Sequence, residues 1–205
     1  MLTVALPKGR IAEDTLAIFE TIFGESFVFD DRKLILETPN FKFLLVRNQD
    51  VATYVYHQAA DIGVVGLDTI EEQGLDVIRL LNLQRGRCQV AIGMRKGEKL
   101  DFSKPEIKVA TKMVNITKRY FAERAVAADV IKLYGSIELA PLVGLADMIV
   151  DIVETGTTMK QNGLEVVENI MESTTYLIAN KNSFFEKKGE VLDIYEKINE
   201  VISAD

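Results

Sequence analysis

Two short runs in the chain collect residue types that handle phosphate. The first is Asp151-Ile152-Val153-Glu154-Thr155-Gly156-Thr157-Thr158. An almost continuously apolar stretch, Ala146–Val153, broken by Asp147 and Asp151, runs into it, and a short helical stretch, Met159–Asn162, follows. The apolar stretch reads as a central parallel strand buried on both faces. Gly156 permits a tight backbone at the strand's end, where N–H groups exposed at a helix start attract an anion. The hydroxyls of Thr155, Thr157 and Thr158 add donors. Asp151 and Glu154 can accept hydrogen bonds from sugar hydroxyls or hold a hydrated Mg2+. The competing reading is an ordinary strand-to-helix turn capped by threonines. The carboxylates shift the balance toward a ribose 5-phosphate, which carries both an anion and a vicinal diol. No Gly-Lys-Ser/Thr follows, so the loop is not a Walker A motif.

The second run is Lys8-Gly9-Arg10, which follows a strand and opens a helix. The helix macrodipole repels cations at that end, and a bound anion would remove the conflict. Other candidates are weaker. Arg32 and Lys33 sit in a charged loop that reads equally well as a hairpin tip. Arg47 directly follows a strand, the position where ligands gather in open α/β folds. Gly66 and Asp68 end another strand: Gly66 for close backbone approach, Asp68 for an amino group or a ribose, or as a helix N-cap. Thr111 and Lys112 end the first strand of a second strand–helix series. Glu138 precedes the Thr-rich loop and either supports it or is a structural helix-start residue. His57, the only histidine, reads as packed or surface and not as catalytic.

The elements that must position these residues alternate. Strands are predicted at Thr3–Leu6, Lys42–Val46, Asp61–Val65, Val77–Leu80, Cys88–Met94, Lys108–Ala110, Val130–Leu133 and Met148–Val153. Helices are predicted at Ile11–Phe23, Val51–His57, Thr69–Gln73, Ile116–Ala127, Ile137–Val143 and Phe185–Ile202. In the first helix Ile11, Leu16, Ile18, Phe19 and Ile22 recur at three- and four-residue steps. This alternation predicts an α/β fold with mainly parallel sheet. The polar stretch Arg95–Pro105 contains two breakers, Gly97 and Pro105, and reads as a domain boundary. The last helix has no strands around it and is expected to return to the first domain. The expected domains are therefore residues 1–94 plus 176–205, and residues 95–175, with a cleft between them.

Composition narrows the function. A formal net charge of −7 argues against nucleic acid as the main partner. Small anions remain open, because they respond to local clusters such as Lys8 with Arg10, Arg32 with Lys33, and Arg85 with Arg87. A lone Cys88 rules out a disulfide framework within the chain and suits a reducing compartment, hence the cytoplasm. No apolar run approaches the roughly 18 residues of a membrane span, and the N-terminus does not read as a signal peptide. With one histidine, most His-based metal sites and Ser-His-Asp triads are excluded.

Five segments resemble, in order, the motifs of the ATP phosphoribosyltransferases. They are Leu6-Pro7-Lys8-Gly9-Arg10, Ala60–Asp68, Val109-Ala110-Thr111-Lys112, Gly135–Leu142 and the Glu154–Thr158 loop with its strand. The resemblance spans nearly the whole chain. It implies a two-domain architecture like that of type II periplasmic binding proteins. It also implies transfer of a phosphoribosyl group from 5-phosphoribosyl 1-pyrophosphate (PRPP) to ATP, the first step of histidine biosynthesis. On that reading Arg10 and Arg32 supply charge to the leaving pyrophosphate. Lys8, Arg47, Gly66, Asp68, Thr111, Lys112 and Glu138 bind substrate together with Asp151, Glu154, Thr155, Gly156, Thr157 and Thr158. Mg2+ would arrive on the substrate phosphates, with no protein metal site of its own. The length resembles the short form, which works as a homodimer within a hetero-oligomer containing a histidyl-tRNA-synthetase-like regulatory subunit. Two other readings fit parts of the pattern: a solute-binding protein of the same architecture, and a base phosphoribosyltransferase. The latter places two adjacent acidic residues before its loop, whereas here Ile152-Val153 separates Asp151 from Glu154.

Overall fold

A computed structural model describes residues 1–30 and 32–204. The chain begins β1 (Leu2–Pro7), α1 (Arg10–Phe23), β2 (Ile35–Glu37), β3 (Phe41–Val46), α2 (Val51–Tyr56), β4 (Ile62–Gly66), α3 (Leu67–Gln73) and β5 (Ile78–Asn82). It continues through β6 (Cys88–Arg95), β7 (Ile107–Thr111), α4 (Val114–Glu123), β8 (Ala128–Lys132), α5 (Leu139–Leu142), β9 (Met148–Val153), α6 (Thr157–Gln161) and β10 (Leu164–Ser173). It ends with β11 (Thr175–Ala179), α7 (Lys181–Glu186) and α8 (Lys188–Ala204). Two compact units result: Met1–Gly86 with the segment from Thr174 onward, and Arg87–Ser173.

Among the described residues, the first unit contains a six-stranded sheet ordered β2-β3-β1-β4-β11-β5. β1 runs parallel to both β3 and β4, so the strand ends at Pro7, Val46 and Gly66 lie along one edge of the sheet. α1 covers one face of this sheet through Ala12, Thr15, Ile18 and Phe19, and it stops at Gly24 in the left-handed conformation, φ 66°. Phe19 meets Phe41 and Phe43 edge-on, each at 5.3 Å between ring centroids. Such pairs add to simple apolar burial. The C-terminal helices are tied in through Asp61, whose Oδ2 accepts from Thr3 N at 2.8 Å and from Lys187 Nζ at 2.7 Å. Asn180 caps α7 through Ser183 N and donates to the carbonyls of Val55 and Tyr56.

The second unit has the strand order β10-β6-β9-β7-β8. β9 alternates cleanly. Met148, Val150 and Ile152 join the cluster with Ile107, Val109, Tyr120 and Phe121, while Ile149 and Val153 join Ala91, Ala110, Ile137, Ala140 and Met159. α4 lies over the first of these faces, and the short helices α5 and α6 over the second.

Four features depart from expectation. The sheets are mixed: β3-β1-β4 and β9-β7-β8 are parallel, while β2, β11, β5, β6 and β10 pair antiparallel at the flanks. β6, expected in residues 1–94 of the first domain, lies in the second sheet between β10 and β9. There it pairs with β10 along its length, from Leu164↔Arg95 to Ser173↔Cys88. β10 itself is not predicted, because two register shifts, at Val166/Glu168 and Asn169/Met171, break its side-chain alternation. The single predicted C-terminal helix is two helices that break at Lys187.

Candidate functional site

In the second unit the predicted loop leaves the C-terminal end of the central strand β9. Gly156 has φ 75°, ψ 2°, a left-handed conformation that glycine adopts without the Cβ penalty, and it is the N-cap of α6. Thr155 Oγ1 lies 2.9 Å from Thr157 Oγ1 and accepts from Thr157 N at 3.4 Å, so the loop is folded upon itself. Thr155, Thr157 and Thr158 are all exposed. Asp151 is 9% exposed, and its Oδ1 accepts from Ile152 N at 2.8 Å and pairs with Lys112 Nζ at 3.1 Å. Parallel pairing of β7 with β9 makes that contact possible, since Thr111 is in register with Val150.

Thr111 differs from its predicted role as a substrate contact. Its side chain is fully buried, and its hydroxyl donates to Val150 O at 2.7 Å and accepts from Met113 N at 2.9 Å. Both uses are internal: the first locks the ends of β7 and β9 together, and the second fixes the turn after β7. Glu138 is half-buried at the N-cap of α5, without a side-chain capping bond. Just upstream of β9, Asp147 Oδ2 accepts from Lys108 N at 2.8 Å. That hydrogen bond, with help from Lys104, holds the Asp147 carboxyl below the usual carboxylate range.

In the first unit the parallel strand ends gather the other candidates. Lys8 follows β1, and its N–H donates to Val46 O at 3.0 Å, which stitches the β1 and β3 ends together. Gly9 has φ 97°, ψ −154°, which favours glycine. Arg10 opens α1, and Arg47 is exposed immediately after β3. Gly66 has an ordinary extended backbone, φ −66°, so any need for glycine there is one of space. Asp68 is 6% exposed in the first turn of α3, where a carboxylate suits the helix dipole. Thr69 Oγ1 lies 3.4 Å from Asp68 Oδ2 and accepts from Asn48 Nδ2 at 3.2 Å. The N-cap of that helix is Gly66, so Asp68 is not the cap.

A cavity of about 540 Å³ opens beside Lys8 and Gly9, and it brings Lys8 together with Arg32 and Lys33. Glu13 shares the lining, while Leu16, Phe27, Phe29 and Leu45 form apolar walls. Lys33 pairs with Asp30 at 2.6 Å. The hydrogen bond and the neighbouring charge lower the Asp30 carboxyl's pKa and raise that of the Lys33 ammonium. The apolar walls are absent from the sequence reading. Their signal was the run Phe27-Val28-Phe29 between Gly24 and Asp30, a small apolar island in a polar loop. His57 is exposed against the Tyr56 ring and joins neither group.

No helix among the described residues is long and apolar enough to cross a membrane. Nor do the described residues include a group of three or more His, Cys, Asp or Glu placed to hold a metal ion.

Comparison with known proteins bears on what these groups serve. The family model described as ATP phosphoribosyltransferase (HisG) matches residues 47–200. A curated relative from Sulfurimonas denitrificans, named ATP phosphoribosyltransferase, is 82% identical over 205 residues, covering 100% of this chain and 98% of its own. Among solved structures, the ATP phosphoribosyl transferase (HisG:HisZ) complex from Thermotoga maritima superimposes with a TM-score of 0.89 at 35% identity, covering 100% of both chains. The periplasmic aliphatic sulphonate binding protein SsuA from Escherichia coli reaches a TM-score of 0.63 at 12% identity over 98% of this chain and 68% of its own. That second likeness is one of fold, and it places the two-unit architecture with the type II periplasmic binding proteins.

Proposed function

We propose a division of labour between two sets of residues, on the premise that the chain belongs to the ATP phosphoribosyltransferase family. The reaction of that family joins ATP and PRPP to give N1-(5-phosphoribosyl)-ATP and pyrophosphate, the first step of histidine biosynthesis. The adenine N1 lone pair attacks the anomeric carbon, the bond to pyrophosphate breaks, and the transition state has oxocarbenium character. N1 is already nucleophilic, so no general base is required. Catalysis rests on holding two anions in line and on stabilising the departing pyrophosphate.

Residues Thr155–Thr158 take the ribose 5-phosphate, through the amides of the first turn of α6 and the threonine hydroxyls. The first-turn amides of a helix lack intrahelical acceptors; that of Thr157 makes only a long contact with Thr155 Oγ1, at 3.4 Å. Asp151 and Glu154 take the ribose hydroxyls, with Lys112 fixing the Asp151 carboxylate. Glu138 supports the loop from α5, and Thr111 supports it from within the sheet. Arg10 and Arg32 supply charge to the leaving pyrophosphate. Lys8 and Arg47 hold ATP phosphates, and Gly66 and Asp68 lie toward the base and its ribose. The cavity beside Lys8, with aromatic walls and cationic rims, has the character of a nucleotide site.

The family uses a divalent metal, and we assign Mg2+. Mg2+ keeps several waters and is usually held by substrate phosphates with one or two carboxylates. Asp151 and Glu154 fit that arrangement, which needs no protein cage. When bound, the ion neutralises charge building on the pyrophosphate. We also assign the chain a cytoplasmic location, a homodimer, and a HisZ-type, histidyl-tRNA-synthetase-like regulatory partner through which histidine would inhibit.

The observation that carries the proposal is the loop after β9, folded around Gly156 with a nearly buried, lysine-paired carboxylate beside it. An absorbance assay for N1-(5-phosphoribosyl)-ATP, with and without the regulatory subunit, tests it. Product in at least one condition is expected. No product in either, or product from a free base in place of ATP, would overturn it.

A further inference from the structure

One side chain of the Thr-rich loop's helix packs into the sheet beneath it. Of the five residues of α6 only Met159 is buried, at 4% exposure. Its thioether lies over Gly93, midway along β6. A Cβ built on Gly93 would stand 2.8 Å from Met159 Sδ, 3.1 Å from Met159 Cε and 3.1 Å from Ile149 Cγ1. Gly93 is not among the residues with positive φ, so its backbone does not demand glycine. A glycine inside a strand weakens it and often marks a close approach. Here the approach is that of Met159.

Thioethers are adaptable, so the effect of a methyl at position 93 depends on whether Met159 has anywhere to go. Met159 packs within the cluster of Ala91, Ile137, Ala140, Ile149, Val153 and Leu164. Ile149, paired with Gly93 across β6 and β9, closes the adjacent side. Packed interiors hold little spare volume. To regain an ordinary contact of about 3.5–4.0 Å, Met159 must withdraw by roughly 1 Å. Rotation about the Met159 side-chain bonds can absorb part of this shift; whatever the surrounding cluster does not let them absorb passes to Thr157 and Thr158, the two residues before Met159 in α6. The full shift is large against the few tenths of an ångström that separate a good hydrogen bond from a poor one.

We propose that Gly93 is a positioning residue for phosphoribosyl transfer. The space it leaves sets the depth at which Met159 seats α6, and so fixes Thr157 and Thr158 against the 5-phosphate. Gly93 touches no substrate and acts only through Met159. The inference rests on the reading of the loop as the ribose 5-phosphate grip.

Gly93→Ala, Met159→Ala and the double variant of the full chain test it, with titration calorimetry for PRPP and for ATP, hydrogen–deuterium exchange of the α6 amides, and thermal melting. Gly93→Ala is expected to weaken PRPP binding about tenfold, the affinity equivalent of a modest overpacking penalty. ATP binding stays within about twofold, and exchange in α6 quickens. In the Met159→Ala background the same change costs clearly less, because the thioether is gone and only Ile149 Cγ1 remains close. The inference is overturned by wild-type PRPP affinity and exchange in Gly93→Ala. It is equally overturned by equal losses for ATP and PRPP that track a lower melting temperature, or by an undiminished cost in the Met159→Ala background. A wild-type chain that binds no PRPP would overturn the loop's assigned ligand. The exchange measurement, which needs no ligand, tells that outcome apart from failure of the Gly93–Met159 contact.

Discussion

On the proposed division of labour, the two units offer anions different means of recognition. The first unit presents exposed, flexible cations, Lys8, Arg32 and Arg47, at the ends of parallel strands and around an apolar-walled cavity. The second presents a backbone turn, built on Gly156, seated by buried Met159 and flanked by a nearly buried Asp151. Side-chain charges act through the field and can follow a group that moves. A backbone turn acts through fixed geometry. The first suits a pyrophosphate that departs during the reaction, and the second suits a 5-phosphate that must stay still while the anomeric carbon reacts.

The sharpest way to break this contrast is to remove a cation and watch the chemical step. Arg32→Ala is expected to slow it by about 10²–10³-fold, the scale of losing one preorganised donor to a developing charge. Because Arg32 is exposed, stability should change by no more than about 0.5 kcal/mol. Rapid-mixing kinetics and thermal melting read the two quantities, and an unchanged chemical step removes Arg32 from the role. Arg10→Ala should behave alike.

Next in size is a change to the turn. The nearest atom to a Cβ at position 156 is Val153 Cγ1, at 3.9 Å, so Gly156→Ala adds torsional strain without a clash. A left-handed alanine costs about 1–2 kcal/mol, so PRPP affinity should fall roughly tenfold with ATP affinity unchanged. Gly156→Asn should recover part of the loss, since asparagine tolerates that region better. Equal affinities in all three proteins would mean that the turn does not hold the ligand.

Salt separates the units more gently. Screening shortens from about 10 Å at 0.1 M to about 3 Å at 1 M. Pyrophosphate binding should therefore weaken several-fold more than ribose 5-phosphate binding over that range, and parallel slopes would blur the contrast.

The smallest effect concerns the frame of the first unit. Burial pushes the Asp61 carboxyl up, but hydrogen bonds from Lys187 and Thr3, with the Lys187 charge, outweigh it and hold the carboxyl below its ordinary 3.8. A lowered folded value stabilises above the ordinary value and is lost as pH falls through the folded one. Wild-type melting temperature should thus drop as pH falls below about 4, and Asp61→Asn should flatten that drop. The same slope in both proteins would show that Asp61 is not the group responsible.

Much of this was legible before any coordinates. β9 falls on Met148–Val153 as predicted, because a strand buried on both faces leaves a near-continuous apolar signature, interrupted here only by Asp151. Its loop was legible because Gly156 and the threonines are local. What escaped was non-local. β10 hides because its register shifts disturb the alternation that marks a strand. β6 gave no sign of its unit, since pairing partners are not written in a strand's own residues. Thr111 looked like an exposed strand end, and only the proximity of Val150 shows its hydroxyl to be spent inside the sheet. The Phe27 and Phe29 walls look like loop residues until α1 and β3 are placed beside them.

The division of labour is tested most directly by measuring ribose 5-phosphate and pyrophosphate separately, by titration calorimetry, against wild type, Gly156→Ala and Arg32→Ala. The account predicts a crossover: Gly156→Ala loses ribose 5-phosphate and keeps pyrophosphate, while Arg32→Ala does the reverse. Equal losses of both ligands in both variants would contradict it.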